Sequence, residues 1–334
     1  MKKTIIAFLL AGFLAGGAFA QVTFSGSVYA GIQLQYTDYS GESITTIHRE
    51  ENDPRFNFMA TVTRENYGAR LDTTFQMTGD SDGHFTLHGI YGWVDFLDNS
   101  LRLTMGQISS AIWVLPRLHS RHAELYFDKI RGFRAVYDTP IQGLSVGAAF
   151  RSDGHDVQTF AEQMIFGANF IHPLFSAVFA YDLGNNVRTL FGFNFTGIPD
   201  LTAGIQISAA HLSSWDDDFF PGILQMHQII GYRIMRPLNV HLILGQTFHG
   251  TPDSDIGLEF VVGAEYRILP NLTGSFNIIL DSPDHFTTTN LTLNPMIEHT
   301  LQGPAVLYVE YELRLDNMDT ATHTFGFGIT IRAF

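Results

Sequence analysis

Val22-Thr-Phe-Ser-Gly-Ser-Val-Tyr-Ala-Gly-Ile-Gln-Leu-Gln-Tyr36 is the stretch that decides the fold. Its even positions are Val22, Phe24, Gly26, Val28, Ala30, Ile32, Leu34 and Tyr36, and its odd positions carry Thr, Ser, Gln, Gly and one Tyr. A period of two puts one set on each face of a strand, so one face is apolar and the other polar. The pattern returns along the chain: in Ala69, Leu71, Phe75 and Met77; in Phe191, Phe193 and Phe195; in Leu201, Ala203, Ile205 and Ile207; in Ile256 through Tyr266; and in Leu307 through Leu315. A soluble sheet alternates a few times around one core. Here the apolar parity carries no charge, and the chain has 29 Phe, which a soluble protein would have to hide. Lipid outside and water inside accounts for both faces, and a sheet closed on itself leaves no backbone group unpaired in hydrocarbon. The fold class is therefore all-β, a transmembrane antiparallel β-barrel.

Turn signals divide the chain into strands at roughly 22–36, 55–63, 68–78, 85–96, 100–107, 131–138, 142–151, 162–171, 174–182, 187–196, 201–211, 223–235, 239–248, 256–267, 271–280, 288–300, 304–315 and 322–334. That is 18 strands, with 16 as the alternative. The strand at 85–96 is ambiguous because both faces carry aromatics, and 288–300 contains Pro295. Connections alternate between tight, often proline-containing turns such as Arg236-Pro237-Leu238 and longer, acidic loops such as that holding Asp216, Asp217 and Asp218. Short turns on one rim and long loops on the other mark an outer-membrane barrel. With both termini on the short-turn side the strand number is even.

Residues 1–20 read as a cleaved signal peptide. Lys2 and Lys3 precede an apolar run from Ile5 to Phe19, and Ala18-Phe19-Ala20 is a small-x-small site before Gln21. Residues 21–334 then form one barrel domain, with export to the outer membrane. There is no cysteine, so no disulfide framework holds the exported chain. The formal charge is −14, and removing two lysines makes it about −16, which argues against a nucleic-acid partner. Lys129 is the one lysine past residue 20. The other basic groups are arginines, whose charge persists in any environment.

The registers place many charges on the polar parity: Arg70, Asp72, Arg102, Arg134, Arg188, Arg233, Glu259, Glu265, Glu310, Glu312 and Arg314, with Arg131 counted beside Arg134 as pore-lining. Basic and acidic groups on opposed walls set up a transverse field across a lumen too wide for side chains to fill. His227, His241 and His249 share that parity without a metal-ligand motif, and no cofactor motif is present. One connection breaks the pattern. Residues 107–130 lack alternation but carry Ile112, Trp113, Val114, Leu115 and Leu118, then Glu124, Tyr126, Phe127 and Asp128. Loops this long are uncommon unless functional or disordered, and this one is not composed like disorder. Its apolar side chains need a surface: the inner wall of the barrel, a neighbouring protomer or the lipid interface.

The segment Arg131-Gly-Phe-Arg-Ala-Val-Tyr-Asp-Thr-Pro140, followed by Gly143-Leu-Ser-Val-Gly-Ala-Ala-Phe150, resembles the Gram-negative porins, as does Leu103-Thr-Met-Gly-Gln107 before the long loop. The spacing between Arg134 and Tyr137 is one residue longer than in that pattern. The resemblance implies a passive diffusion channel for small hydrophilic solutes and ions. It implies a third loop folded inward, with Glu124 and Asp128 facing Arg134 across the constriction, helped by Arg70 and Arg102. It also implies a homotrimer and recognition of the terminal Phe334 by the barrel-assembly machinery. Phe334 is out of phase with Phe325, Phe327, Ile329 and Ile331, which a bulge would correct. The acidic loops predict a mild cation preference, opposed by the inward arginines. An adhesin or receptor barrel using the loops at 37–54 and 213–220, or an outer-membrane hydrolase, are the competing functions. No local catalytic motif supports the latter.

Overall fold

The computed structural model describes residues 21–37, 41–45, 55–77, 83–108, 113–119, 130–152, 163–184, 188–211, 222–249, 256–284, 288–301 and 304–333. The expected signal peptide, Glu124, Asp128 and Phe334 lie outside the described residues. The strands are β1 (Gln21–Thr37), β2 (Gly41–Thr45), β3 (Arg55–Thr63), β4 (Tyr67–Met77), β5 (Gly83–Phe96), β6 (Leu101–Ile108), β7 (Ile130–Asp138), β8 (Leu144–Arg151), β9 (Met164–His172), β10 (Phe175–Asp182), β11 (Arg188–Phe195), β12 (Leu201–His211), β13 (Gly222–Met235), β14 (Leu238–His249), β15 (Ile256–Leu269), β16 (Leu272–Asp284), β17 (Thr288–Thr300), β18 (Ala305–Asp316) and β19 (Thr320–Ala333).

Each strand pairs antiparallel with its chain neighbour, and β1 pairs with β19 to close the ring. The short β2 shares an edge of β1 with β3, pairing at Gln33–Thr37 while β3 pairs at Gln21–Tyr29. The remaining strands form a closed barrel of 18, so no sheet edge meets hydrocarbon. Sixteen strands is thereby excluded.

The period-two reading assigns the faces. Phe24, Phe56, Phe75, Phe179, Phe191, Phe260, Phe276, Phe325 and Phe327 all stand exposed on the outer parity. The inner parity carries buried polar groups such as Thr104, Asn194, Gln206, Asn277 and Asn294. The ambiguity of β5 has a local cause. The register between β4 and β5 slips between Asp72 and Thr73, leaving His88 as an extra residue. That bulge switches parity. Phe85 and Leu87 face outward before it, Val94 and Phe96 after it, while Tyr91, Trp93 and Asp95 turn inward. His88 Nε2 lies 2.7 Å from Thr74 Oγ1 across the slip.

Pro295 is accommodated within β17. The β17–β18 ladder skips Asn294 and Pro295, where proline has no N–H to give. The fully buried Asn294 side chain fills in, donating to Glu310 Oε1 at 2.6 Å and to the Tyr311 carbonyl at 3.4 Å. At the tight turns the chain enters the left-handed region at Leu97, Asp98 and Asn99 (φ 51, 54 and 68°), at Asp200 (φ 64°) and at Asn317 and Met318 (φ 50 and 61°). Left-handed central residues match the twist of a hairpin.

Candidate channel and its constriction

Residues 113–119 lie inside the barrel. Trp113 and Leu115 are buried with Tyr91, Ile108, Ile130, Ala149, Ile165, Val178, Ala180 and Leu190, all inner-wall residues of β5 to β11. Leu118 continues the contact onto Ile229, Ile243 and Val261 of β13, β14 and β15. Of the three surfaces open to this loop in the sequence, the described part uses the inner wall. Asn194 Nδ2 donates to the Pro116 carbonyl at 2.7 Å, and the His119 ring lies tilted against that of His241 with centroids 3.7 Å apart. His241 Nε2 is 3.1 Å from Asn277 Oδ1. Trp113 has φ of 56°, a conformation a bulky residue adopts only where its surroundings fix it. Neither the His119–His241 contact nor the wall beneath the loop is visible in a sequence motif, because each joins segments far apart in the chain.

The inner parity holds most of the expected pore-lining charges. Arg70 and Asp72 sit two apart on β4, 3.6 Å from each other. Arg102 on β6 makes a two-pronged bond to Asp95, Nε–Oδ1 2.7 Å and Nη2–Oδ2 2.8 Å, and lies over the Trp93 ring at 5.5 Å. Arg134 on β7 is opposite Thr104, and its Nε is buried with no acceptor among the described residues. Arg188 Nε donates to Ser208 Oγ at 2.9 Å, and Arg314 Nε to Asp316 at 2.6 Å. Glu259 and Glu265 lie on β15, Glu310 and Glu312 on β18. β7 and β16 are equally far apart round the ring in both directions, so Arg134 stands diametrically across from the sector that bears these glutamates.

Arg131 is a correction. It pairs with Gln107 and shares the parity of Phe133 and of Met105, which is 66% exposed on the outer face. It therefore belongs to the outer surface at the long-loop rim. Nearness in sequence to Arg134 does not bring it into the lumen, because three residues along a strand reverses the face.

Between Leu118–His119 and the short-turn rim lies a cavity of about 380 Å³, bounded by those two residues on one side and by Asp200, Arg233, Asn239 and Glu265 on the other. Arg233 donates from Nη1 to Asp200 at 3.2 Å and from Nε to Asn239 at 3.3 Å.

Solved structures of similar fold match nearly the whole length of this chain. The anion-selective porin of Comamonas acidovorans superposes with a TM-score of 0.59 at 11% identity over 94% of this chain and 99% of that one. OpdQ of Pseudomonas aeruginosa gives 0.63 at 12% identity over 93% and 98%. OccAB4 of Acinetobacter baumannii gives 0.63 at 8% identity over 93% and 98%. The fold is that of the Gram-negative outer-membrane porins. No protein-family model and no curated protein sequence matches the chain, so the porin fold rests on structure.

The Arg102–Asp95 pair gives a local test of inner-wall packing near the short-turn rim. Asp95 is 8% exposed and Arg102 about half exposed. Arg102→Ala leaves a buried carboxylate without its partner, and the expected loss is about 1–3 kcal/mol. The measurement is the guanidinium midpoint of the detergent-solubilised barrel.

Proposed function

We propose that this chain is an outer-membrane channel through which small hydrophilic solutes and ions diffuse passively, and that it performs no chemistry on them. The observation that carries this reading is the closed ring of 18 antiparallel strands with an apolar outer face and a charged inner one. Side chains fill the interior of a barrel of about 8 strands, but at 16–18 strands a wet lumen remains. The loop at 113–119 narrows that lumen from one side, as a size filter does. Localisation to the outer membrane, cleavage after Ala20 and assembly through Phe334 belong to the same proposal. So does a trimer, which the mass of the detergent-solubilised complex checks. The experiment that tests the function is planar-bilayer recording. The purified barrel is expected to give steps of ohmic conductance that scale with bulk salt, and a protein that inserts without conducting would overturn it.

For the constriction we propose that Glu124 and Asp128 bring carboxylates towards Arg134, whose buried Nε lacks an acceptor among the described residues. The cation preference expected from the acidic loops finds no support in the fold, since a protein of the same fold is anion-selective. Arginines and carboxylates share the described lumen wall, so the proposal is for passage of both signs. Arg134→Glu exchanges the sign of one group there. The reversal potential in a salt gradient is expected to move towards that of cations, and no movement would remove Arg134 from the ion path.

A further inference from the structure

We infer that Gly167, Gly192 and Gly204 form a seat in the inner wall that holds the loop at 113–119 and so sets the aperture. This rests on the channel reading above and names the residues that would fix its size limit.

The three glycines lie on the inner parity of β9, β11 and β12. A glycine inside a strand weakens it, and often marks close approach of another group. Each of these is approached by one apolar side chain of the loop. A Cβ on Gly167 would clash with atoms of the Trp113 ring. One on Gly192 would be 2.5 Å from Leu115 Cδ1, and one on Gly204 would be 2.8 Å from Leu118 Cδ1, with Asn194 Oδ1 of the adjacent strand at 2.6 Å. The ladder makes the seat continuous. Gly167 is opposite Ala180, Gly192 is opposite Val178, and Gly204 is opposite Ile229. Ala180, Val178 and Ile229 are themselves buried under the loop. Trp113, Leu115 and Leu118 thus lie in one slanted trough, with Asn194 gripping the Pro116 carbonyl between them. Inward parity alone does not explain the pattern. Gly326 also faces the lumen, and a Cβ there would meet nothing within 4 Å.

The test exchanges bulk between wall and loop. The chain has no cysteine, so a parent carrying Leu118→Cys and Ile229→Cys reports loop seating through a short thiol–thiol crosslinker. The parent is expected to crosslink. Gly192→Leu should lose the crosslink and alter the unitary conductance, and Leu115→Gly should weaken the crosslink. Combining the two should restore both readouts, because the leucine then fills the gap left in the loop. Gly326→Leu should leave the crosslink intact. The deciding result is a change of sign: Gly192→Leu loosens the loop in the parent and tightens it in the Leu115→Gly background. This second comparison stands even if Gly192→Leu alone fails to assemble. Loosening in both backgrounds, or in neither, overturns the seat. Absence of conductance in every variant, parent included, with the crosslinks as expected, overturns the channel reading and leaves the seat standing.

Discussion

Arginine in place of Phe327 is expected to keep the barrel from assembling stably, while arginine in place of the adjacent Gly326 is expected to be accepted. The two residues are neighbours near the middle of β19 and point to opposite faces. Phe327 is 45% exposed on the outer face. A charge there must sit in hydrocarbon, at about 2–4 kcal/mol near the bilayer midplane. Gly326 points inward with open space around it, where a guanidinium stays hydrated. The measurement is folding into lipid vesicles across a urea series. Phe327→Arg should shift the midpoint strongly to lower urea, and Gly326→Arg should shift it little.

The second large effect concerns the loop. Trp113→Ala, Leu115→Ala and Leu118→Ala together remove the side chains that bury against the inner wall. Truncating the buried Trp113 and Leu115 costs roughly 2–5 kcal/mol each, and the partly buried Leu118 adds less, so the triple variant is expected to release the loop from its trough. The lumen loses the bulk of an indole and two isopropyl groups, and the loop loses its anchorage. Unitary conductance is expected to rise, because flux follows the open cross-section. Larger neutral polymers should enter the pore. The barrel itself should still form, since its ladder does not depend on residues 113–119. An unchanged conductance would mean that these residues do not limit flow.

Much of this was legible in the sequence, for a physical reason. In a membrane barrel each residue faces one of two solvents, so the code is local and binary, and all 18 staves fall where the alternation and turns put them. What escaped was non-local. The short β2 lies inside an acidic loop without alternation of its own. The bulge at His88 reverses parity halfway along β5, so an unbroken alternation there puts aromatics on both faces. Arg131, expected among the pore-lining residues, lies on the outward parity with Gln107 and Phe133. Arg70, Asp72, Arg102, Arg134, Glu259, Glu265, Glu310 and Glu312 took their faces from the same parity. Their partners did not follow from it, since Asp95 reaches Arg102, and Asn294 reaches Glu310, across strands. The glycines beneath the loop offered one signal in advance. Gly167, Gly192 and Gly204 share inward parity, and the loop carries three bulky apolar residues at 113, 115 and 118.

The central claim is that alternate residues face hydrocarbon and water, and β18 tests it most directly. The chain lacks cysteine, so single cysteines placed at each position from 307 to 314 report without background. With the protein folded in lipid vesicles, a membrane-impermeant maleimide should label positions 310, 312 and 314, whereas position 308 is covered in the inner wall. Positions 307, 309, 311 and 313 should be protected until detergent is added. Labelling that fails to alternate, or that favours the odd positions, would contradict the account.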